Sequence, residues 1–368
     1  MKNKNFAWIA TWKITRRCNL YCVYCDHPTM LKATEKETVD YAAIVDTLEK
    51  YKPKILNISG GEPTLVPRLS SILADIKQRW NPYIRIVHNG TAPDKLIPCL
   101  PYIDRLVISL DGPDPINSKN RGISAASVLA KLTPILPECA KHSVEVAVNC
   151  VVTTNNLPYL YEFAQLLRSI SPEIILSFAP LMPPDDMLSI MRVESLYTDF
   201  LATFNKLRQE GFRVIHVFDP LIRHPDYKHI QCYNQYFVVR VLTGGQVTTC
   251  AMNTDMSGSL AVYYAKKLFS ANGIAKAVNR ITKVARSRIA HQVDFSCNTL
   301  CTCEGWLDLL FLGIESHCIA HYAKALRNRM TDSDYAEVEA FVRKNINPSF
   351  SSAALKQAIG SDTGAEAS

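Results

Sequence analysis

Residues 7–25 read AWIATWKITRRCNLYCVYC. The run Ala7–Thr15 alternates Ile, Trp and Thr with little to favour a helix, which predicts a β-strand. Three thiols follow within one short loop, at Cys18, Cys22 and Cys25. Thiolates so placed can converge on one inorganic core. A structural zinc site generally takes four protein ligands, whereas an iron–sulfur cube can be held by three thiolates and leave one iron open to a small molecule. For this spacing alone, a zinc knuckle is the alternative.

Working outward, the chain to about residue 210 alternates short β-type runs with amphipathic helices, the pattern of a parallel sheet with helical crossovers. Six strands are expected, at Ala7–Thr15, Lys54–Ser59, Tyr83–His88, Ile103–Ser109, Val144–Val152 and Ile174–Ala179. Apolar residues recur at helical spacing at Tyr41, Ile44, Val45 and Leu48, at Leu69, Ile72, Leu73 and Ile76, and at Leu160, Phe163, Ala164 and Leu167, and these faces should cover the sheet. Thr34 with Glu37 suggests a capping box for the first helix. The expected fold class is α/β, a partial (β/α)6 TIM-like barrel over residues 1–211 with functional residues on loops after the strand C-termini, although an open doubly wound sheet has the same pattern. After Gly211 the rhythm breaks. Phe212–Phe218 reads as a β-run, and Tyr236–Leu242 and Gln246–Thr249 read as a hairpin turning at Gly244-Gly245. Residues 212–347 are therefore expected to form a smaller cluster-binding module, with helices over Leu260–Ile289 and Trp306–Met330. A disordered tail is expected over 348–368.

The 368 residues are 48% hydrophobic and 20% charged, with a net charge of +7. This suits a globular enzyme, favours anionic substrates mildly, and falls short of a dedicated nucleic-acid protein, so no nucleic-acid partner is expected. No apolar run is long enough to span a bilayer, and Met1–Trp12 lacks the features of a signal peptide. The expectation is a cytoplasmic protein without a membrane partner. In a reducing compartment, twelve cysteines read as metal ligands more readily than as disulfides. Three lie near the start, six in the last third, and only Cys99, Cys139 and Cys150 between.

The CxxxCxxC run after the first strand, followed by Gly60-Gly61-Glu62-Pro63 after the second, resembles the radical S-adenosylmethionine superfamily. The resemblance implies a [4Fe–4S] cluster on Cys18, Cys22 and Cys25, with Tyr24 beside the adenine of S-adenosylmethionine and the Gly60–Pro63 loop holding its amino group. Two glycines allow a backbone to approach a ligand, and Glu62 offers a negative charge to an ammonium. Later strand ends echo the family at His88-Asn89-Gly90-Thr91, Ser109-Leu110-Asp111-Gly112 and Asn149. Asn89, Ser109 and Asn149 are expected near ribose and carboxylate, and Ala179 offers backbone to the adenine. His88 departs from the commoner Thr, and either faces solvent or contacts substrate. Asp111 is a candidate general base, or else fixes its loop through backbone hydrogen bonds. The implied chemistry is one-electron reduction of the sulfonium by an external flavodoxin- or ferredoxin-type donor, then abstraction of a substrate hydrogen by a 5′-deoxyadenosyl radical.

Cys232 and Cys250, with Cys297, Cys301 and Cys303, resemble the auxiliary-cluster extensions called twitch and SPASM. Two fully ligated auxiliary cubes need eight thiolates, and only six cysteines follow residue 230. One second [4Fe–4S] cluster is therefore expected, held by Cys232, Cys250, Cys297 and one of Cys301 or Cys303. Cys318 reads as core. An auxiliary cluster favours oxidation, a spare thiol would favour epimerisation, and both stay open. Cys18 comes too early for a preceding leader-peptide domain, which favours a small-molecule substrate over a peptide. Lys276, Arg280 and Lys283 form a basic helical stripe that reads as a solvated face, the alternative being a contact for phosphate or RNA in a basic RNA-binding protein.

Overall fold

The computed structural model describes residues 8–25, 30–181, 188–190, 193–217, 237–248 and 318–360. Eight parallel strands form one sheet in the order β10-β1-β4-β5-β6-β7-β8-β9, and β11 adds an antiparallel ninth beside β10. The strands are β1 (Ile9–Thr15), β4 (Ile55–Gly60), β5 (Tyr83–His88), β6 (Arg105–Ser109), β7 (Glu145–Val152), β8 (Ile175–Pro180), β9 (Val214–His216), β10 (Val238–Val241) and β11 (Val247–Thr248). A separate two-stranded ladder pairs β2 (Arg17–Cys18) with β3 (Leu31–Lys32) and fixes the base of the cysteine loop. The main sheet is a partial TIM-like barrel.

Helices α1 (Tyr41–Tyr51), α2 (Leu69–Trp80), α3 (Ile116–Arg121), α4 (Ala125–Leu132), α5 (Leu136–Lys141), α6 (Leu160–Ile170) and α7 (Glu194–Gln209) connect successive strands. The apolar faces read from periodicity are buried: Ile44, Val45 and Leu48 on α1, Leu69, Leu73 and Ile76 on α2, and Leu160, Phe163, Ala164 and Leu167 on α6. They pack on Trp12, Ile14, Leu56, Ile58, Ile84, Ile86 and their equivalents, one alternate set of strand residues. The opposite set faces the barrel interior, as period-two geometry requires.

Three expectations change. Helix α1 is capped by Asp40, whose Oδ1 accepts from the Ala43 N–H at 3.0 Å, and Thr34 and Glu37 form no capping box for it. Secondly, β9 and the hairpin β10–β11 join the barrel sheet. Ile9 to Trp12 pair with Val238 to Val241 in register, and Gly245 turns the hairpin at φ +76°. Lastly, residues 352–360 fold where a disordered tail was expected. Helices α8 (Cys318–Arg327), α9 (Asp332–Asn345) and α10 (Ser352–Gly360) close the N-terminal end of the barrel, burying Leu326, Val338, Val342, Leu355 and Ile359 against Trp8, Ile9, Ile55, Tyr83 and Phe237. Leu355 and Ile359 are four residues apart on one helical face, too short a pattern to stand out among small polar neighbours. The expected helix over Leu260–Ile289 and the first part of that over Trp306–Met330 lie outside the described residues.

No helix among the described residues is long and apolar enough to cross a membrane.

Candidate active site

The loop that carries Cys18, Cys22 and Cys25 lies directly against the Gly60–Pro63 loop. Gly61 N–H donates to the Thr15 carbonyl and Glu62 N–H to the Arg17 carbonyl, both at 2.7 Å. The closeness explains both glycines. A Cβ on Gly60, whose φ is +139°, would stand 2.4 Å from the Thr15 oxygen, and one on Gly61 would stand 2.0 Å from the Arg17 oxygen. What these glycines admit is therefore the backbone entering the cysteine loop. From the other side, Glu37 clamps the same segment: its carboxylate accepts from the Thr15 hydroxyl, from the Arg16 N–H at 2.9 Å and from Arg16 Nε at 3.1 Å.

Glu62 is fully buried, and its charge is used internally. Oε1 accepts from Thr64 N–H at 2.9 Å and its hydroxyl at 2.8 Å, and Oε2 accepts from Asn89 N–H at 2.8 Å. The carboxylate thus caps the short 3-10 turn Pro63–Leu65 and ties β4 to the end of β5. Both Glu62 carboxylate oxygens thus have protein donors. His88 is also fully buried, which excludes a solvent-facing role. Its Nδ1 accepts from Gly90 N–H at 2.7 Å, and Nε2 lies 3.5 Å from Glu62 Oε1. Burial lowers its pKa despite the nearby Glu62 charge, so the ring is neutral with its proton on Nε2.

Asn89 faces the first cysteine. Its Nδ2 donates to Asn19 Oδ1 at 2.7 Å and points at Cys18 Sγ from 3.9 Å, and Leu20 N–H donates to the same sulfur at 3.5 Å. N–H groups aimed at a sulfur suit a thiolate that carries charge. Burial pushes the Cys18 thiol up, and pushes the Cys22 thiol up to about 11 against the opposing charge of Arg121. The three cysteines influence one another electrostatically. No group of three His, Cys, Asp or Glu side chains among the described residues is drawn together enough to hold a single metal ion. An iron–sulfur cube spaces its thiolates more widely than one zinc ion does. Three thiols on one loop, with N–H donors directed at the first, are a donor set that fits a [4Fe–4S] cluster with an open iron.

Asp111 is a buried junction. It pairs with Arg121, whose terminal nitrogen lies 2.9 Å from Oδ1, accepts from Val151 N–H at 3.1 Å, and receives the Tyr24 hydroxyl on Oδ2. Its own N–H donates to Asn117 Oδ1 at 2.9 Å, and its carbonyl accepts from Asn156 Nδ2 at 2.8 Å. The Arg121 guanidinium lies over the Tyr24 ring, 5.5 Å from its centroid, and Val23 N–H donates to the Asn120 carbonyl at 2.9 Å. Burial would lower the Arg121 pKa, but the Asp111 carboxylate raises it, and burial together with Asp111 keeps the Tyr24 phenol protonated. The residues that sequence reasoning missed are partners of this kind. Arg121, Asn117 and Asn156 meet Asp111 only in the fold, and no local motif marks them.

Register places Ser109, Asn149 and Ser177 side by side on β6, β7 and β8, with Val151 beside Ala179 one step further. Ser109 and Asn149 thus share one row of the inner wall, and Ser177 extends it. Cys232, Cys250, Cys297, Cys301 and Cys303, and the stripe of Lys276, Arg280 and Lys283, lie outside the described residues.

Residues 12–133 match the family model described as the radical SAM superfamily. Among curated proteins, the chain is 30% identical over 162 residues to the mycofactocin maturase MftC of Mycobacterium tuberculosis, covering 42% of this chain and 40% of that protein. It is 28% identical over 190 residues to a probable GTP 3′,8-cyclase of Methanococcus maripaludis, covering 46% of this chain and 59% of the relative. The matches therefore span less than two thirds of either relative. In fold, the chain is similar to Streptococcus suis SuiB, solved with S-adenosylmethionine bound, at a TM-score of 0.53 and 14% identity over 69% of this chain and 62% of that one. The matched segment, residues 12–133, carries the cysteine loop and the Gly60–Pro63 loop, and the likeness to SuiB is one of fold.

Proposed function

We propose that this chain is a radical S-adenosylmethionine enzyme that removes a hydrogen atom from a small-molecule substrate held inside the barrel, with oxidation assisted by an auxiliary cluster. The observation that carries the reading is the lock between Gly60-Gly61 and the Thr15–Arg17 backbone, which sets the cysteine loop against the Gly60–Pro63 loop at one strand end, in a barrel whose strands β6, β7 and β8 carry the row of Ser109, Asn149 and Ser177.

Cys18, Cys22 and Cys25 would hold the [4Fe–4S] cluster. Bound there, cluster and S-adenosylmethionine together supply a 5′-deoxyadenosyl radical, and the protein aims it. Asn89 and Leu20 N–H steady the Cys18 sulfur, the Gly60–Pro63 backbone receives the amino end of the cofactor, and Ser109, Asn149 and Ser177 offer hydroxyl and amide groups to its polar edges. Asp111 acts as a positioning residue in this reading, because its carboxylate is engaged by Tyr24, Arg121 and Val151 N–H. Helices α8–α10 close the base of the barrel, which helps to exclude water from a reactive intermediate. Cys232, Cys250, Cys297 and one of Cys301 or Cys303 are proposed as ligands of the second [4Fe–4S] cluster, on sequence grounds.

Anaerobic reconstitution with iron and sulfide tests this reading. Two cubes give about eight irons per chain, and about four when Cys18, Cys22 and Cys25 are all replaced by Ala. The reduced wild-type protein should form 5′-deoxyadenosine from S-adenosylmethionine, and a deuterated substrate should pass its label into that product. Absence of 5′-deoxyadenosine from fully reconstituted protein would overturn the proposal. The likeness to a maturase supports a second reading, a peptide substrate, which label transfer from a peptide instead of a metabolite would select.

A further inference from the structure

Helix α3 ends against the cysteine loop. Val23 N–H donates to the Asn120 carbonyl at 2.9 Å, and the Arg121 guanidinium lies over the Tyr24 ring. Two consecutive residues of α3 therefore hold the two residues that separate Cys22 from Cys25. The helix itself is fixed from behind: Asn117 Oδ1 accepts from Asp111 N–H at 2.9 Å, and Asn117 Nδ2 donates to the Ile123 carbonyl at 2.8 Å.

At this contact two donors are left over. Asn120 is 1% exposed and Arg121 6%, yet neither Asn120 Nδ2 nor Arg121 Nε has an acceptor among the described residues. Other buried asparagines place the same amide group: Asn89 Nδ2 on Asn19 Oδ1 at 2.7 Å, and Asn156 Nδ2 on the Asp111 and Val151 carbonyls, both at 2.8 Å. A buried donor left unmatched is costly, and such groups are retained where a bound species completes them. The Arg121 charge also acts on Cys22 more strongly than the Asp111 charge does, so the ion pair turns its positive end toward that sulfur. This corner therefore lacks negatively charged acceptors. An iron–sulfur cube supplies them as thiolate and sulfide sulfurs, and the hydrogen bonds and charge around those sulfurs set its potential.

We propose that Asn120 Nδ2 and the Arg121 guanidinium are positioning residues that serve the sulfurs on the Cys22–Cys25 side of the cluster and raise its reduction potential. N–H donors and a positive charge favour the form that has gained one electron from the external flavodoxin- or ferredoxin-type donor. The inference rests on the radical-enzyme reading and adds how the protein sets the ease of its first step.

Reconstituted protein, titrated anaerobically at controlled potential and followed by electron paramagnetic resonance, gives the midpoint. The signal that disappears when Cys18, Cys22 and Cys25 are all replaced by Ala identifies the cluster in question. Asn120→Ala should lower its reduction equilibrium about tenfold, the scale of one hydrogen bond to a charged group, which is about 59 mV for one electron. Asp111→Asn combined with Arg121→Gln keeps the shape of the pair without its charges and should lower the potential at least as far, whereas Arg121→Lys should keep most of the wild-type value. Thermal unfolding and iron content are measured beside the potential. An unchanged potential in both Asn120→Ala and the neutral pair would overturn the proposal. Loss of iron with the remaining cluster at wild-type potential would also overturn it, as the mark of a purely structural role. Either result with 5′-deoxyadenosine still formed would overturn this inference alone. The expected shifts without 5′-deoxyadenosine formation would overturn the radical reading and leave the tuning role standing.

Discussion

Asp111 shows how much one buried carboxylate can organise. It meets the cysteine loop through Tyr24, α3 through Arg121 and β7 through Val151 N–H, so three segments far apart in sequence share one charge. Replacing it by Asn keeps the shape but leaves the Arg121 guanidinium, 6% exposed, without its countercharge. Removing one partner from such a pair costs about 3–5 kcal/mol. Asp111→Asn is therefore expected to lower stability by about 3 kcal/mol in urea unfolding and to reduce iron retention after reconstitution, whereas Tyr24→Phe, losing one hydrogen bond to a charged group, should cost about 2 kcal/mol. A general base would behave otherwise: Asp111→Asn would then hold its iron and its fold and lose only turnover.

At the scale of the element, the junction of β1 with the cysteine loop depends on Glu37. Burial would raise its pKa, but hydrogen bonds from Thr15 and Arg16 and the charge of Arg16 outweigh this and hold it below the ordinary 4.5. A carboxyl depressed in the fold stabilises at pH above its unfolded value, and that contribution is lost as pH falls from about 4.5 through the lower folded value. Thermal unfolding followed from pH 7 to pH 3 should show wild-type stability declining through this window. Glu37→Gln should be less stable at pH 7 and show a shallower acid slope. An identical slope in the variant would place the titration elsewhere. Strands and helix faces were legible in the sequence because burial on two sides or one leaves a period that can be read, as in Tyr83–His88. The role of Glu37 was not, because its partners lie more than twenty residues back and the nearby Thr34 supplied a plausible local one. The burial of His88 and Glu62 was not legible for a related reason. A polar residue at a strand end looks exposed in sequence, and only the fold shows the neighbour that buries it.

For the whole molecule, the C-terminal helices belong to the barrel's stability. Leu355 is fully buried in the cluster that includes Trp8, Ile9 and Tyr83, and Lys54 on the barrel side lies 2.9 Å from Asp334 on α9. Leu355→Ala is expected to destabilise the protein by about 2–4 kcal/mol in urea, within the range for a buried leucine, and to do so without altering the spectrum of the proposed cluster on Cys18, Cys22 and Cys25. A spectral change at equal folded fraction would show that the two regions are coupled. The cysteine motif and its glycine-rich companion stood out in the sequence through their resemblance to a known family. Their contact did not, since no pattern in either stretch reports that the Thr15–Arg17 backbone fills the space a side chain would need.

That contact has a practical meaning for anyone who rebuilds the protein. Because Gly60 and Gly61 nest onto peptide groups and not onto adaptable side chains, neither loop can be lengthened, shortened or borrowed from a relative by itself. A transplant that carries residues 15–25 without residues 59–65 would bring mismatched halves together, and the portable unit is the pair.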